Sequence, residues 1–381
     1  MSRSVLVITG EVSGDTLASG LVRAVQARGE EVRFFGIGGE GLRAAGVEII
    51  HDAREMAVLG LAEVIRRYGF FRRVFNEMLA LARERKPDAV LLVDYPGFNL
   101  RFAAAARRLG LKVIYYVCPQ VWAWHRSRIG QMARVVDRLL VIFPFEKSVF
   151  AGTNLRVDFV GQPLVDAARA ARAEPLKDMP WPAATRVALL PGSRRQEIER
   201  ILPPVAEAAA LLEQRCPDCG FIVAAPSEDT AGWVRSVLGR TGFRPRRCAV
   251  VAGETRQVLR QARAAIVASG TATVETALMG CPMIVVYRTS PLTYLVGRRL
   301  VKVPHLGMVN IVAGRELCPE FIQGEARPVA MAAAVEPLLR DTPERGAMLD
   351  GLAAVRTTLG EGGAAERAAD LFLDELEAPR N

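Results

Sequence analysis

Asp94 is the first residue to suggest chemistry, because the segment Asp94-Tyr95-Pro96-Gly97-Phe98-Asn99 follows the apolar run Ala89-Val90-Leu91-Leu92-Val93 directly. A carboxylate at the end of a buried strand loses part of its hydration, which raises its pKa toward the range useful to a general base. The same aspartate could instead cap a helix starting near Phe98. A second apolar run, Val5-Leu6-Val7-Ile8-Thr9, leads into Gly10-Glu11-Val12-Ser13-Gly14-Asp15. Small residues there admit a ligand to the backbone at a helix N-terminus. The spacing is neither G-x-G-x-x-G nor a phosphate loop with its lysine, and Ser13 or Asp15 could simply cap the helix. After a further run at 113–117 comes Val121-Trp122-Ala123-Trp124-His125-Arg126, with two of the four tryptophans beside a histidine and an arginine. Such a group suits a sugar face and an anion, or it closes the edge of a core.

The second half offers sites for negative charge. Gly192-Ser193-Arg194-Arg195 follows an apolar run and opens a helical pattern. Two guanidinium groups and free backbone donors at a helix start meet a diphosphate by both charge and dipole; a solvated basic turn is the plainer alternative. In Ser269-Gly270-Thr271-Ala272-Thr273-Val274-Glu275 the small and hydroxylated residues again expose a helix start. Glu275, one turn in, could accept both hydroxyls of a ribose, or it could only favour the helix dipole. Asn310, Glu316 and Gln323 are polar groups in a loop-rich stretch and are binding candidates on that ground.

The segment at 56–75 interleaves apolar residues with four arginines. That pattern fits a surface entering a lipid headgroup layer, or a pair of core helices with basic outer faces. It is too short to span a bilayer.

These segments need strands to carry them. Short apolar runs at 5–9, 32–36, 89–93, 113–117, 139–143 and 158–160 alternate with helical patterns, and runs at 187–190, 221–225, 249–251, 264–267 and 283–286 repeat the arrangement. The fold class is α/β, with two doubly wound parallel sheets. Pro175, Pro180 and Pro182 break regular structure within 171–185, which marks the hinge. The expected division is an N-terminal domain at 1–172, a C-terminal domain at 173–350, and a helical segment at 351–381 that packs back on one of them. Open sheets bind ligands beyond their carboxyl ends, so two facing domains would place a site in the cleft between them.

At 381 residues and 50% hydrophobic composition, the chain can bury two cores. A net charge of +9 attracts anionic partners without choosing among nucleic acid, acidic lipid and phosphorylated substrate. The six scattered cysteines are not a secreted disulfide framework, and the Cys216, Cys219 pair lacks the further ligands of a zinc site. The apolar stretch at 5–9 is too short for a signal-peptide core, so the expected location is the cytoplasm.

With these residues in place, the sequence resembles the lipid-A-disaccharide synthases, inverting glycosyltransferases of the two-domain GT-B fold. The likeness runs along nearly the whole chain. It rests on Gly10-Glu11-Val12-Ser13-Gly14-Asp15, Asp94 with Phe98-Asn99, Val121-Trp122-Ala123-Trp124, Pro144-Phe145-Glu146-Lys147, Leu190-Pro191-Gly192-Ser193-Arg194, Ser269-Gly270-Thr271-Ala272-Thr273, and Asn310 with Ala313-Gly314-Arg315-Glu316. The resemblance implies transfer of 2,3-diacylglucosamine from its UDP ester to the 6-hydroxyl of 2,3-diacylglucosamine 1-phosphate. A β-linked disaccharide and UDP would be the products. It also implies Asp94 as base and Glu11, with Ser13, Asn99 and Trp124, on the acceptor side. Gly192, Ser193, Arg194, Ser269, Gly270, Thr271, Thr273, Glu275, Asn310, Glu316 and Gln323 would lie at the UDP-sugar. The segment at 56–75 would face the cytoplasmic membrane peripherally, and a homodimer is a form such proteins often take. Some relatives carry a second carboxylate where Gly97 stands, and a Pro-containing run in place of His305-Leu306-Gly307-Met308-Val309.

Inversion needs one displacement, with a base opposite the departing UDP and a cleft that closes around both. The chain contains no Asp-x-Asp, and Arg194, Arg195 and helix N-termini can answer the diphosphate charge, so neither metal nor cofactor is expected. A UDP-sugar 2-epimerase on the same scaffold is the nearest alternative. A nucleic-acid-binding protein is a further one; the dispersed arginines and the absence of a reader motif argue against it.

Overall fold

A computed structural model of the chain describes residues 3–56 and 66–379. The chain forms two compact units, Met1–Pro163 with Gly362–Asn381, and Leu164–Glu361.

The first unit is built on a parallel sheet of β1 (Arg3–Thr9), β2 (Val32–Gly38), β3 (Glu48–Asp52), β4 (Ala89–Val93), β5 (Lys112–Tyr116), β6 (Arg138–Val141) and β7 (Arg156–Phe159). Their order is β3-β2-β1-β4-β5-β6-β7. The central strands β4 and β5 are buried along their whole length, as parallel strands covered on both faces must be. Successive residues point to opposite faces, so Leu6, Ile8 and Leu92 enter one core while Val5, Val7, Leu91 and Val93 enter the other.

That second core is completed by the C-terminal helix Ala364–Glu377, whose Ala368, Ala369 and Phe372 are fully buried. Phe372 stacks on Phe34 with ring centroids 5.9 Å apart. Lys112, itself buried, donates through Nζ to the carbonyl of Glu375 at 2.6 Å. A cation is favoured there because the last helical carbonyls lack partners and carry the negative end of the dipole.

The second unit repeats the plan with β8 (Thr185–Leu190), β9 (Cys219–Ala225), β10 (Cys248–Ala252), β11 (Ala264–Ala268), β12 (Met283–Tyr287) and β13 (Glu320–Ile322), in the order β10-β9-β8-β11-β12-β13. All register pairs in both sheets are parallel. In each sheet the chain begins near the middle, winds outward, and then returns to the other side of its first strand. The reversal lies between β1 and β4 in one unit and between β8 and β11 in the other, and the loops at such a switch point diverge to leave a crevice.

Three expectations change. The strands β3 and β13 are absent from the apolar-run reading; both are sheet edges, where a half-exposed strand such as Glu48-Ile49-Ile50-His51-Asp52 needs no apolar run. The division falls between Pro163 and Leu164, ahead of the proline-rich segment. That segment is tied down within the second unit: Gln257 Nε2 donates to the Pro175 carbonyl at 3.1 Å, and Gln261 Nε2 to that of Lys177 at 2.9 Å. At the other end, 351–361 belongs to the second unit and only the last helix to the first.

Candidate active site

At the first switch point the loop after β1 meets the loop after β4. Their approach needs Gly10: a Cβ there would lie 2.1 Å from the Tyr95 ring. Asp94 and Tyr95 both adopt left-handed backbone, at φ 47° and 49°, which costs most residues about 1 kcal/mol or more and persists only when the surroundings enforce it. Asn99 enforces it. Its buried side chain donates through Nδ2 to the carbonyls of Asp94 at 2.8 Å and Val93 at 3.2 Å, and Tyr115 donates its hydroxyl to the same Asp94 carbonyl. With the turn held, the helix starts at Pro96 and Tyr95 is its N-cap residue, so Asp94 is free of capping duty.

The Asp94 carboxyl is pushed up to about 6, first by burial and then by the charge of Glu11, against the lowering effect of the Tyr95 N–H. A carboxylate with that pKa is largely ionised at neutral pH yet basic enough to accept a proton from a hydroxyl under attack. Glu11, Val12 and Ser13 are exposed beside it, with Val12 68% accessible. Asp15 does not cap its own helix. Its carboxylate accepts the backbone N–H groups of Gly39 at 2.6 Å and Gly41 at 2.8 Å, fastening the neighbouring β2 loop to this one.

The two tryptophans separate. Trp122 is buried and donates through Nε1 to Glu146 at 3.2 Å, while Trp124 is 42% exposed and lies against His125 with ring centroids 4.2 Å apart. Glu146 also accepts the Phe143 N–H at 3.1 Å, and burial pushes its carboxyl up to about 8. It thus ties the tryptophan loop to the loop after β6. Apolar-run reasoning passed over it; only its place in Pro144-Phe145-Glu146-Lys147 signalled it.

Tyr95, which follows Asp94 in the chain, helps to line a pocket of about 410 Å³ with Tyr68, Phe71, Phe75 and Phe98, and Arg72 and Arg101 are among its walls. Tyr68, Phe71, Arg72 and Phe75 of the arginine-rich segment therefore line this pocket, and 57–65 lie outside the described residues.

At the second switch point, Gly192 has φ 108° and the N–H groups of Ser193 and Arg194 both point to the Glu197 carboxylate at 3.3 Å. The backbone donors expected to be free for a diphosphate are held by an internal carboxylate, while the Arg194 side chain remains 66% exposed. After β11, Thr271 is exposed and Gly270 half-buried, but Thr273 is buried and bonds the Gly270 carbonyl at 2.8 Å. Ser269 donates to the Leu306 carbonyl at 2.8 Å. Glu275 lies 2.8 Å from Arg256 Nε. That N–H is not aimed at the carboxylate, so the contact is ionic and not a directed hydrogen bond.

Asn310 and Gln323 also turn inward. Asn310 is fully buried: Nδ2 donates to the Cys318 carbonyl at 2.7 Å and to Glu320 at 2.8 Å, while Oδ1 accepts from Leu317 and Cys318, each at 2.9 Å. Gln323 pairs with both backbone groups of Thr289, at 2.6 and 3.1 Å. Glu316 is exposed. Asn99, Thr273, Asn310 and Gln323 thus shape the loops of their sites from within. Polar type alone cannot distinguish this from ligand contact.

The model of the family described as lipid-A-disaccharide synthetase matches residues 5–364. The chain belongs to that family. It is 41% identical over 378 residues to the lipid-A-disaccharide synthase of Geobacter sulfurreducens, covering 98% of each chain. To that of Myxococcus xanthus it is 42% identical over 386 residues, covering 99% of this chain and 98% of the other. Among solved structures it resembles a putative UDP-N-acetylglucosamine 2-epimerase from Listeria monocytogenes, with TM-score 0.68, 16% identity, and 100% and 98% coverage. It also resembles MurG of Acinetobacter baumannii, with TM-score 0.58, 14% identity, and 98% and 100% coverage. These two likenesses show the shared two-domain fold. Membership of the synthase family, resting on the much closer sequence matches, takes precedence over the epimerase reading.

Proposed function

We propose that the chain condenses UDP-2,3-diacylglucosamine with 2,3-diacylglucosamine 1-phosphate, giving the β-1,6-linked disaccharide 1-phosphate and UDP. The observation that carries this reading is Asp94, a partly desolvated carboxylate with its pKa raised to about 6, followed directly by Tyr95, a wall of an aromatic pocket fit for an acylated sugar. The Asp94 carboxylate takes the proton of the acceptor 6-hydroxyl as that oxygen bonds the anomeric carbon. The bond from that carbon to the diphosphate oxygen breaks, and UDP leaves with its electrons. One such displacement inverts the anomeric centre.

Glu11 and Ser13 flank the acceptor, with Trp124 available to a sugar face. In the second unit the loops after β8 and β11 take the UDP-sugar, with Arg194 and the helix start after Gly270 answering diphosphate charge and Glu275 the ribose. Those groups suffice without a divalent cation, and the reaction is metal-independent. The enzyme works peripherally on the inner face of the cytoplasmic membrane. No described helix is long and apolar enough to cross a bilayer, and the border of the Tyr95 pocket carries both aromatic residues and arginines.

UDP release is the test, measured with and without the acylated monosaccharide 1-phosphate, in EDTA, for wild type and Asp94→Asn. Acceptor-dependent release that survives EDTA and falls at least about a hundredfold in the variant supports the whole reading. Release without acceptor would mean a different reaction at the same carbon.

A further inference from the structure

We propose that the helix Pro291–Leu300 of the second unit is a lipid-contacting face whose partner is an anionic bilayer surface. The inference rests on the lipid-handling reading above, but it is tested by binding and not by turnover, so the two can fail separately.

A helix in a globular protein ordinarily buries one stripe of its surface. This one has no buried residue among those described. Instead it exposes Leu295 at 54%, Val296 at 50% and Leu300 at 51%. At 100° per residue those three side chains share one arc of roughly 140°. Local chemistry, in place of packing, starts the helix: Ser290 Oγ accepts the Thr293 N–H at 3.1 Å, and Pro291 occupies the first turn.

The charges at the arc are all of one sign. On the same 100° spacing Arg299 projects within the arc and Arg298 about 60° outside it. Arg298, Arg299 and Lys302 are exposed, and none has an ion-pair partner among the described residues. Between Glu275 and Glu316 the sequence contains Arg288, Arg298, Arg299, Lys302 and Arg315, and no carboxylate at all. An apolar arc interleaved with unpaired cations suits an interface in which aliphatic side chains enter the headgroup boundary and long basic side chains reach back to anionic lipid. A second copy of the chain is a poorer partner, because a two-fold contact would set these same cations against one another.

Flotation of the full chain with vesicles of phosphatidylcholine, with and without about 30% phosphatidylglycerol, reads the partner. Arg298→Gln with Arg299→Gln should bind anionic vesicles roughly thirtyfold more weakly, two cations at the surface being removed. Leu295→Ser with Leu300→Ser should also weaken binding. Turnover of detergent-dispersed substrates should be unchanged in both, and loss of turnover in wild type would instead count against the synthase reading. The Leu295→Trp variant should gain fluorescence that brominated lipids quench. Wild-type binding by both double variants, together with unquenched fluorescence in Leu295→Trp, would overturn the proposal. So would loss of a dimer by light scattering in the variants while vesicle binding persists, which would assign the face to a second copy.

Discussion

Replacing Asp94 by Asn should make the protein inactive and more stable at once. Asn tolerates the left-handed backbone that position 94 requires, at φ 47°, so the turn survives the change. In the folded protein the aspartate titrates at about 6, against 3.8 for the free group. A folded pKa raised above the unfolded one means that folding retains a proton the unfolded chain would release. The stability this group contributes is therefore fully present below 3.8, declines between 3.8 and about 6, and is absent above. The gap corresponds to about 3 kcal/mol, reduced to about 2 kcal/mol because the side chain is only partly withdrawn from water. Asp94→Asn lifts that penalty, so its melting temperature should exceed the wild type's by about 5 °C at pH 8 and match it near pH 4. Asp94→Ala should gain less, since alanine is strained in the left-handed region. Thermal unfolding from pH 4 to 8, with UDP release on the same samples, checks both halves. A stability difference that does not vary with pH would refute the raised pKa, and undiminished release would refute the catalytic role.

Wild-type kcat/KM should rise with pH through about 6 and then level. Glu11→Gln should move that acid limb to lower pH, because the Glu11 charge helps hold the Asp94 proton; an unmoved limb would separate the two carboxylates. Asn99→Ala removes the donors that clamp Val93 and Asp94, and should cost about 1–3 kcal/mol in urea unfolding along with most of the activity. Glu197→Gln relieves the helix start after Gly192 of an internal anion. Titration calorimetry should then show UDP binding about two- to fivefold tighter, whereas weaker binding would mean that the carboxylate shapes the site instead of competing for it.

The sequence alone determines the class of fold and where chemistry is offered. Parallel strands buried on both faces must be continuous apolar runs, so the interior strands β1, β2, β4, β5, β6, β8, β9, β11 and β12 are legible as such runs. The loops leaving β1, β4, β8 and β11 declare themselves by small, charged and hydroxylated residues directly after those runs. The edge strands β3 and β13 are not legible, because pairing on one side and partial exposure make no demand for an apolar run. The unit boundary is missed for a related reason: prolines mark where regular structure breaks, whereas Gln257, Gln261 and Arg260 decide which unit holds the broken segment. Above all, composition cannot tell a polar side chain that meets a ligand from one that builds the loop presenting it. Asp94 and Asn99 stand five residues apart and read alike as candidates. Only the fold turns Asn99 inward onto backbone carbonyls and leaves the Asp94 carboxylate without a capping role, because a buried amide must find partners inside the protein while a strained turn must be held by something.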